Sequence, residues 1–143
     1  MNTEKLIFST SEKFKVVSID RIADLANIYV KSLQKKCHCP NCFEPTYGFK
    51  TVTKQRKIKD LPSSGHRVII YLSARKFYCR EPKCPVKGFT ERFIEHFVSY
   101  KRFTSRTEKL LLTMVIQTGA NSSERLSVKM AIPVSDTTLL RWL

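Results

Sequence analysis

The pattern of apolar and polar residues predicts strands in the first two thirds of the chain and helices in the last third. Residues 14–19 are rich in β-branched side chains and predict a strand. Residues 22–33 fit two periods, since a helical stripe runs through the segment while residues 27–33 alternate as a strand does. We expect the strand, because a hairpin with residues 14–19 would lead into the β-rich region that follows; the helix is the alternative.

Two longer strands are expected further along the chain. Residues 47–58 place apolar side chains among lysines and an arginine, which is typical of a strand with one basic, solvent-facing side. Residues 60–65 form a turn cluster that contains a proline and a glycine, and residues 66–78 follow as the second strand. The sequence therefore predicts one long hairpin that ends next to Cys79.

From residue 104 onward the pattern is helical. Thr104 or its neighbour is placed to cap a first helix, which Gly119 ends. A second helix is expected to open at Asn121 or Ser122, and a third to follow Ser135. The apolar positions of the three helices are Leu110, Leu111, Met114 and Val115, then Leu126 and Met130, then Leu139, Leu140 and Leu143.

The last two predicted helices are short and are joined by a turn of a few residues, as in a helix-turn-helix. Any helical hairpin gives the same pattern, so the pattern does not by itself identify a DNA-binding motif. The third helix has at most about eight residues before Leu143, fewer than an isolated helix needs. We therefore expect the sequence to stop inside a longer element, through truncation of the gene or an imposed boundary.

All five cysteines lie between residues 37 and 84. Cys39 with Cys42, and Cys79 with Cys84, form two closely spaced pairs, and four sulfurs are what a tetrahedral structural zinc site requires. Disulfides or unrelated buried thiols are the alternatives, but an odd number of cysteines and the lack of a signal peptide weigh against a secreted disulfide framework. The sequence thus predicts a structural Zn²⁺ held by these four residues.

Cys37 is the surplus thiol. It could replace Cys39, but it lacks the Cys-Pro-x-Cys turn, so we interpret it as a spare. His38 lies between candidate ligands, and we expect it to be solvated because four sulfurs already fill the site. Since thiolates bind zinc only when deprotonated and no site exists in the unfolded chain, we expect zinc binding to be coupled to folding.

The elements and the cysteines together predict an α+β protein with a small β-rich, zinc-ribbon-like unit followed by a helix-turn-helix segment. We expect residues 1–36 to form the N-terminal β-hairpin or helix, and residues 37–98 the zinc-binding β unit. Residues 99–143 are expected to form the helix-turn-helix, cut short at its end.

Charge narrows the choice of partner. The chain of 143 residues carries a formal net charge of +14, and residues 50–109 hold 16 basic and 5 acidic side chains. Such an excess indicates nucleic acid or an anionic membrane surface as the partner. Because the chain has neither an apolar run long enough to span a membrane nor a targeting pattern, we expect a soluble cytoplasmic protein that is associated with the bacterial nucleoid when bound to DNA.

Five segments carry a resemblance to a known family: CPNC, KIKDLPSSG, RKFYCREPKCP, FTERF and SDTTLLRWL, in this order between residues 39 and 143. They resemble the N-terminal part of ISL-three-type insertion-sequence transposases, in which a zinc-binding segment precedes a helix-turn-helix. The resemblance implies that the four paired cysteines bind zinc and that residues 135–141 lie on the DNA-reading helix. Where the family often has two arginines this chain has Arg75 and Lys76, which keeps the charge but changes the geometry available to phosphate.

The hypothesis of DNA binding also predicts which side chains contact DNA: basic residues for phosphates, and polar residues of the third helix for base edges. The residues expected to do so are Lys54, Arg56, Lys57, Lys59, Arg67, Arg75, Lys76, Arg102, Arg106, Ser135, Thr137, Thr138 and Arg141. No catalytic residue is predicted, because Asp20, Asp24, Asp60 and Asp136 are scattered and form no visible carboxylate cluster for a two-metal site. Whether the chain is an enzyme is left open, and strand transfer by it alone is not expected.

The function expected from the sequence is that of a zinc-stabilised DNA-binding module of a transposase. It would bind the terminal inverted repeats of an insertion sequence as double-stranded DNA, and pair with a second copy or with the full-length transposase. The alternative is a zinc-ribbon interaction module that binds RNA or protein.

Overall fold

The computed structural model describes residues 13–51, 54–93, 96–98 and 100–143. Its strands are β1 (Phe14–Ile22), β2 (Leu25–Ser32), β3 (Cys37–His38), β4 (Pro45–Thr46), β5 (Phe49–Thr51), β6 (Arg56–Ser63), β7 (His66–Ser73), β8 (Arg75–Tyr78) and β9 (Gly88–Thr90). Its helices are α1 (Ser105–Thr118), α2 (Ala120–Lys129) and α3 (Asp136–Trp142). Mixed sheets followed by helices make this an α+β fold, as predicted.

The largest sheet joins two antiparallel hairpins in the order β1-β2-β7-β6. The strand expected over residues 27–33 is confirmed by β2, which pairs with β1. The parallel pairing of β2 with β7 was not predicted, because alternation along a strand defines its faces and not its neighbour. This pairing places the N-terminal hairpin and the strands β6 and β7 in a single sheet.

One face of this sheet builds the main core. The alternating residues of β2 and β7 bury Val30, Ile70 and Leu72 to an exposed fraction of 1% or less. Phe14 and Phe97 close the same core with rings whose centroids lie 5.2 Å apart in an edge-to-face contact. The opposite face keeps polar and aromatic side chains partly exposed to solvent.

The long hairpin expected over residues 47–78 is divided between two sheets. Its inner part, β6 and β7, belongs to the large sheet, whereas its outer part, β5 and β8, forms a three-stranded sheet with β9. The predicted strand residues 52–53 lie outside the described residues. The turn expected over residues 60–65 is shorter than predicted, because β6 continues through an irregularity to Ser63, and the chain reverses at Ser64 and Gly65, both with positive φ.

The helix starts were predicted in two of three cases. Thr104 caps α1 and Ser135 caps α3, each accepting a hydrogen bond from the backbone N–H three residues on. The second start was wrong: α2 opens at Ala120, immediately after Gly119, and has no side-chain cap. Gly119 ends α1 with φ 82° and serves both helices, which leaves no linker in which Asn121 could act as a cap.

The apolar faces predicted for α2 and α3 also need correction. Leu126 and Leu140 are exposed, as are Met130 and Leu143, whereas α2 buries two serines. Ser127 accepts a hydrogen bond from the backbone N–H of Val134 at 3.0 Å, so the small side chain holds the α2–α3 connection close to the helix. In α3, Leu139 is buried as predicted.

A buried carboxylate links the large sheet to the helices. Asp60 on β6 is 2% exposed and accepts hydrogen bonds from Thr104 Oγ1 at 2.7 Å and from Arg106 Nε at 2.8 Å. Thr104 is also the cap of α1, so one side chain of the sheet fixes the start of the first helix. The backbone continues this link, because Lys59 exchanges hydrogen bonds with residues 102 and 104.

We expect Asp60→Ala to destabilise the protein by about 1–3 kcal/mol, because the hydroxyls of Thr104 and Thr107 and the half-exposed Arg106 guanidinium lose the hydrogen bonds that Asp60 accepts. Chemical denaturation of the zinc-loaded protein measures this. The matched control is Asp24→Ala, which removes an exposed carboxylate 3.3 Å from Arg67 and should cost at most about 1 kcal/mol. Equal losses in the two variants would contradict the role assigned to Asp60.

Candidate metal centre and nucleic-acid interface

The first cysteine pair lies on a tight turn between β3 and β4. The backbone N–H of Phe43 donates to the carbonyl of Cys39 at 3.0 Å, and the N–H of Cys39 donates to Glu44 at 3.0 Å. Phe43 has a φ of 61°, a left-handed conformation that reverses the chain directly after Cys42. The turn therefore directs both sulfurs of the pair to the same side.

The second cysteine pair lies in the connection between β8 and β9. Cys79 follows β8 directly, and its backbone N–H donates to the carbonyl of Lys87 at 3.0 Å. The N–H of Cys84 donates to Glu81 at 3.1 Å, which closes the intervening loop. Because β5 pairs with β8, the outer part of the hairpin carries the second pair towards the first.

The four sulfurs predicted as ligands lie within 4.8 Å of one another. Cys39 Sγ is 3.8 Å from Cys84 Sγ, and Cys42 Sγ is 3.6 Å from Cys79 Sγ. A zinc ion with bonds of about 2.3 Å to four tetrahedral sulfurs separates them by about 3.8 Å. The observed group therefore fits Zn²⁺, and the predicted structural zinc site is confirmed.

Cys37 and His38 stand apart from this group. Cys37 Sγ has a long contact of 3.9 Å with the carbonyl of His38 and is not among the clustered sulfurs, which agrees with its interpretation as a spare. The exposed ring of His38 donates from Nδ1 to the carbonyl of Phe43 at 3.1 Å. Its contact supports the turn that carries the first cysteine pair.

The environment of the thiols determines how readily each one loses its proton when zinc binds. Burial disfavours the Cys39 thiolate, but the backbone N–H groups of Cys42 and Asn41 outweigh this effect and lower the pKa to about 7. The N–H of Glu44 favours the Cys42 thiolate, yet burial and the neighbouring sulfurs together raise its pKa to about 12. Zinc must therefore displace a proton from Cys42 at neutral pH, so the affinity for zinc falls as the pH falls.

A second layer of contacts supports the ligands. Asn41 Nδ2 donates to Cys84 Sγ at 3.5 Å, a hydrogen bond that favours the thiolate. Val86 and Phe89 pack against the sulfurs and form a small core around them. With four sulfur ligands the coordination shell of zinc is closed, so the metal stabilises the fold and leaves no position for a substrate.

Five of the predicted DNA-binding residues meet in one groove beside α3. Lys59 and Arg102 line one side of it, and Ser135, Thr138 and Arg141 line the other. Lys101, which the sequence did not single out, belongs to the same groove; its ammonium group lies 2.8 Å from Glu108 Oε1. We call this feature the α3 groove. Thr137 is exposed on α3 beside it, and its hydroxyl lies 3.1 Å from Asp136 Oδ1.

Four predicted arginines are engaged with other parts of the protein. Arg106 pairs with the buried Asp60, and Arg67 lies 3.3 Å from Asp24. Arg75 stacks over the ring of Phe49, with its guanidinium carbon 4.1 Å from the ring centroid, and also donates to the backbone. Arg56 donates to two carbonyls, one of them that of Lys101 at 2.6 Å.

The remaining predicted residues lie on the exposed surface at separate places. Lys54 precedes β6, Lys57 lies on the polar face of the large sheet, and Lys76 lines a second groove with Arg56 and Arg92. Both grooves are lined by Tyr100, which is 99% exposed and has a φ of 64°. No sequence signal marks this tyrosine, since its position between the two grooves depends on the fold.

Comparison with known families identifies the cysteine region. Residues 35–84 match the family described as the zinc-finger of transposase IS204/IS1001/IS1096/IS1165. No curated protein and no solved structure matches the chain. In the part of the chain that the structure describes, no helix is both long and apolar enough to cross a membrane. The matched segment is therefore similar to a transposase zinc-binding module and contains all four metal ligands.

Cys79→Ser should abolish tight zinc binding and unfold the cysteine region, because apparent zinc-binding energies of about 10–16 kcal/mol are folding energies in small zinc modules. Metal content and far-UV circular dichroism with and without a chelator measure both effects. We expect Cys37→Ser, the matched control, to retain one zinc per chain. A Cys79→Ser protein that keeps its zinc, or a Cys37→Ser protein that loses it, would contradict the ligand set.

Proposed function

We propose that this chain is the zinc-stabilised DNA-binding module of a transposase, which recognises the terminal inverted repeats of an insertion sequence. The carboxylates for strand transfer would come from a catalytic domain elsewhere, either downstream in the same protein or in a full-length copy. The proposal combines the zinc-finger match over residues 35–84 with the basic α3 groove.

The α3 groove is the observation that carries this proposal. On one side it presents the cations Lys59 and Arg102, which suit phosphate oxygens. On the other side α3 presents short polar side chains and Arg141, a residue type that reads guanine through two hydrogen bonds. A surface that combines phosphate contacts with candidate base contacts is what sequence-specific binding requires.

The geometry of the last two helices supports a helix-turn-helix role. Residues 130–135 connect α2 to α3, and the connection is fixed from within, since Ile132 and Val134 are buried and both donate to Ser127. Ser135 then caps α3. In this arrangement α3 would enter the major groove, and the basic residues beside it would hold the backbone of the duplex.

A second candidate function has one observation in its favour. Leu126 and Val128 of α2 and Leu140 of α3 are between 40% and 62% exposed, so both short helices present apolar side chains to solvent. They favour an interaction module whose helices bind another protein or a second copy of the chain. Sizing chromatography at several protein concentrations distinguishes a self-associating chain from a monomer.

We expect Arg141→Ala to weaken binding to the specific duplex by about 1–3 kcal/mol and to reduce discrimination against other sequences, because it removes a base contact. Gel-shift titrations on duplexes tiled across the DNA that flanks the coding region measure both quantities. Lys59→Ala should instead weaken binding to all duplexes and lower the slope of log affinity against log salt by about 0.9, as for one lost phosphate contact.

Lys83→Ala is the control for charge alone, since Lys83 is exposed and lies outside the α3 groove. Its binding should equal that of the unmodified protein. The proposal would be wrong if the protein bound element ends and random duplex equally well, or if binding did not depend on salt.

A further inference from the structure

The polar face of the large sheet carries an aromatic pair at its centre. Tyr29 on β2 and Tyr71 on β7 are register partners on the two central strands. Their rings are stacked, with centroids 5.0 Å apart and planes inclined by 15°. Both side chains are partly exposed, and neither lines the α3 groove. A role for this pair is therefore separate from the function proposed above.

The same row of the sheet leaves room beside the pair. Ser18 on β1 is the register partner of Tyr29, and Lys57 on β6 is the register partner of Tyr71. The row across the four strands thus reads serine, tyrosine, tyrosine, lysine. Ser18 is small and exposed and directly follows a β-bulge at Val17, so we infer that the outer flank of the Tyr29 ring has room for another flat group, and a cation stands at the other end of the row.

The pair is surrounded by lysines. Lys15, Lys31, Lys57 and Lys59 lie on this face and are all exposed. Within the described part of the chain, none of these four lies within 4.0 Å of a carboxylate. Asp20 is the acidic residue that the described strands place on this face, in the row that ends at Lys59. The face therefore attracts anions.

We propose that this face, which we call the tyrosine face, binds single-stranded DNA. An unpaired base would stack against the tyrosine pair while the lysines hold neighbouring phosphates, the combination that proteins use to bind single strands without sequence preference. In an intact duplex the bases are stacked on one another and cannot reach the rings. The preference for DNA over RNA rests on the proposed function, whereas the stacking surface rests on the sheet alone.

The position of Lys59 connects the two surfaces. It pairs with Ile69 on the tyrosine face and also lines the α3 groove. A single strand on the tyrosine face would therefore lie next to a duplex bound at α3. The two surfaces still differ in their aromatic component, since the stacked tyrosines belong to the sheet and the candidate base-reading residues belong to α3.

The test uses the full zinc-loaded chain. Binding is measured by fluorescence anisotropy with a labelled oligo-dT strand of about 16 nucleotides. Replacing Tyr29→Val and Tyr71→Val together keeps β-forming side chains but removes the rings, and should weaken single-strand binding about 10- to 100-fold. Tyr29→Phe with Tyr71→Phe keeps the rings and should bind within about twofold of the unmodified protein, because stacking on an aromatic ring is retained.

Each further measurement supports or overturns the proposal. Duplex binding should be unchanged in the valine variant and weakened in Arg141→Ala. Single-strand binding should be weakened in the valine variant and unchanged in Arg141→Ala. Circular dichroism and zinc content confirm that each variant is folded. Unchanged oligo-dT binding in the folded valine variant would overturn the proposal, as would tighter binding of oligo-rU or equal competition by polyglutamate. Loss of duplex specificity alone would refute the proposed function and leave this inference standing.

Discussion

The convergence of four thiolates on one point is the constraint from which the rest of the structure follows. Few apolar side chains cover the cysteine turns themselves, since Val86 and Phe89 are the ones packed against the sulfurs. A unit of this size cannot hold its turns by burial alone, and a metal supplies the missing energy. Zinc fixes the relative positions of the two cysteine turns, and with them the outer strands β5 and β8. These strands continue into β6 and β7, the half of the large sheet that carries Asp60 and Lys59.

The cysteine ligand pairs and two of the three helix starts could be predicted because each depends on a short stretch of sequence. Two residues between Cys39 and Cys42 are enough to define a turn, and Thr104 and Ser135 cap the residues next to them. The parallel contact between β2 and β7 could not be predicted, since many alternating strands would fit beside one another equally well. The buried serines of α2 were missed because the prediction assigned the buried face to large apolar side chains. The close approach of the α2–α3 connection to α2 instead requires small side chains.

The basic residues that the sequence singled out differ in how the fold engages them. The structure directs the guanidinium groups of Arg56, Arg75 and Arg106 towards carbonyls, a ring or a carboxylate of the protein itself. Arginine suits such places because its planar group offers several donors in fixed directions. The lysines of β6 remain exposed to solvent. The positive charge of this chain is thus divided between groups that join its elements and groups that are exposed to solvent.

The order of the strands has a consequence for the rate of folding. The partners of β2 and β7 are about forty residues apart in the chain, so the central pairing of the large sheet closes a long loop. Such pairings form slowly, because the entropy of closure is lost before any contact repays it. Zinc bound to the two cysteine turns brings β8, and with it the end of β7, close to the residues that follow β2, and so shortens this search. The metal would then act on the speed at which the sheet assembles as well as on its final stability.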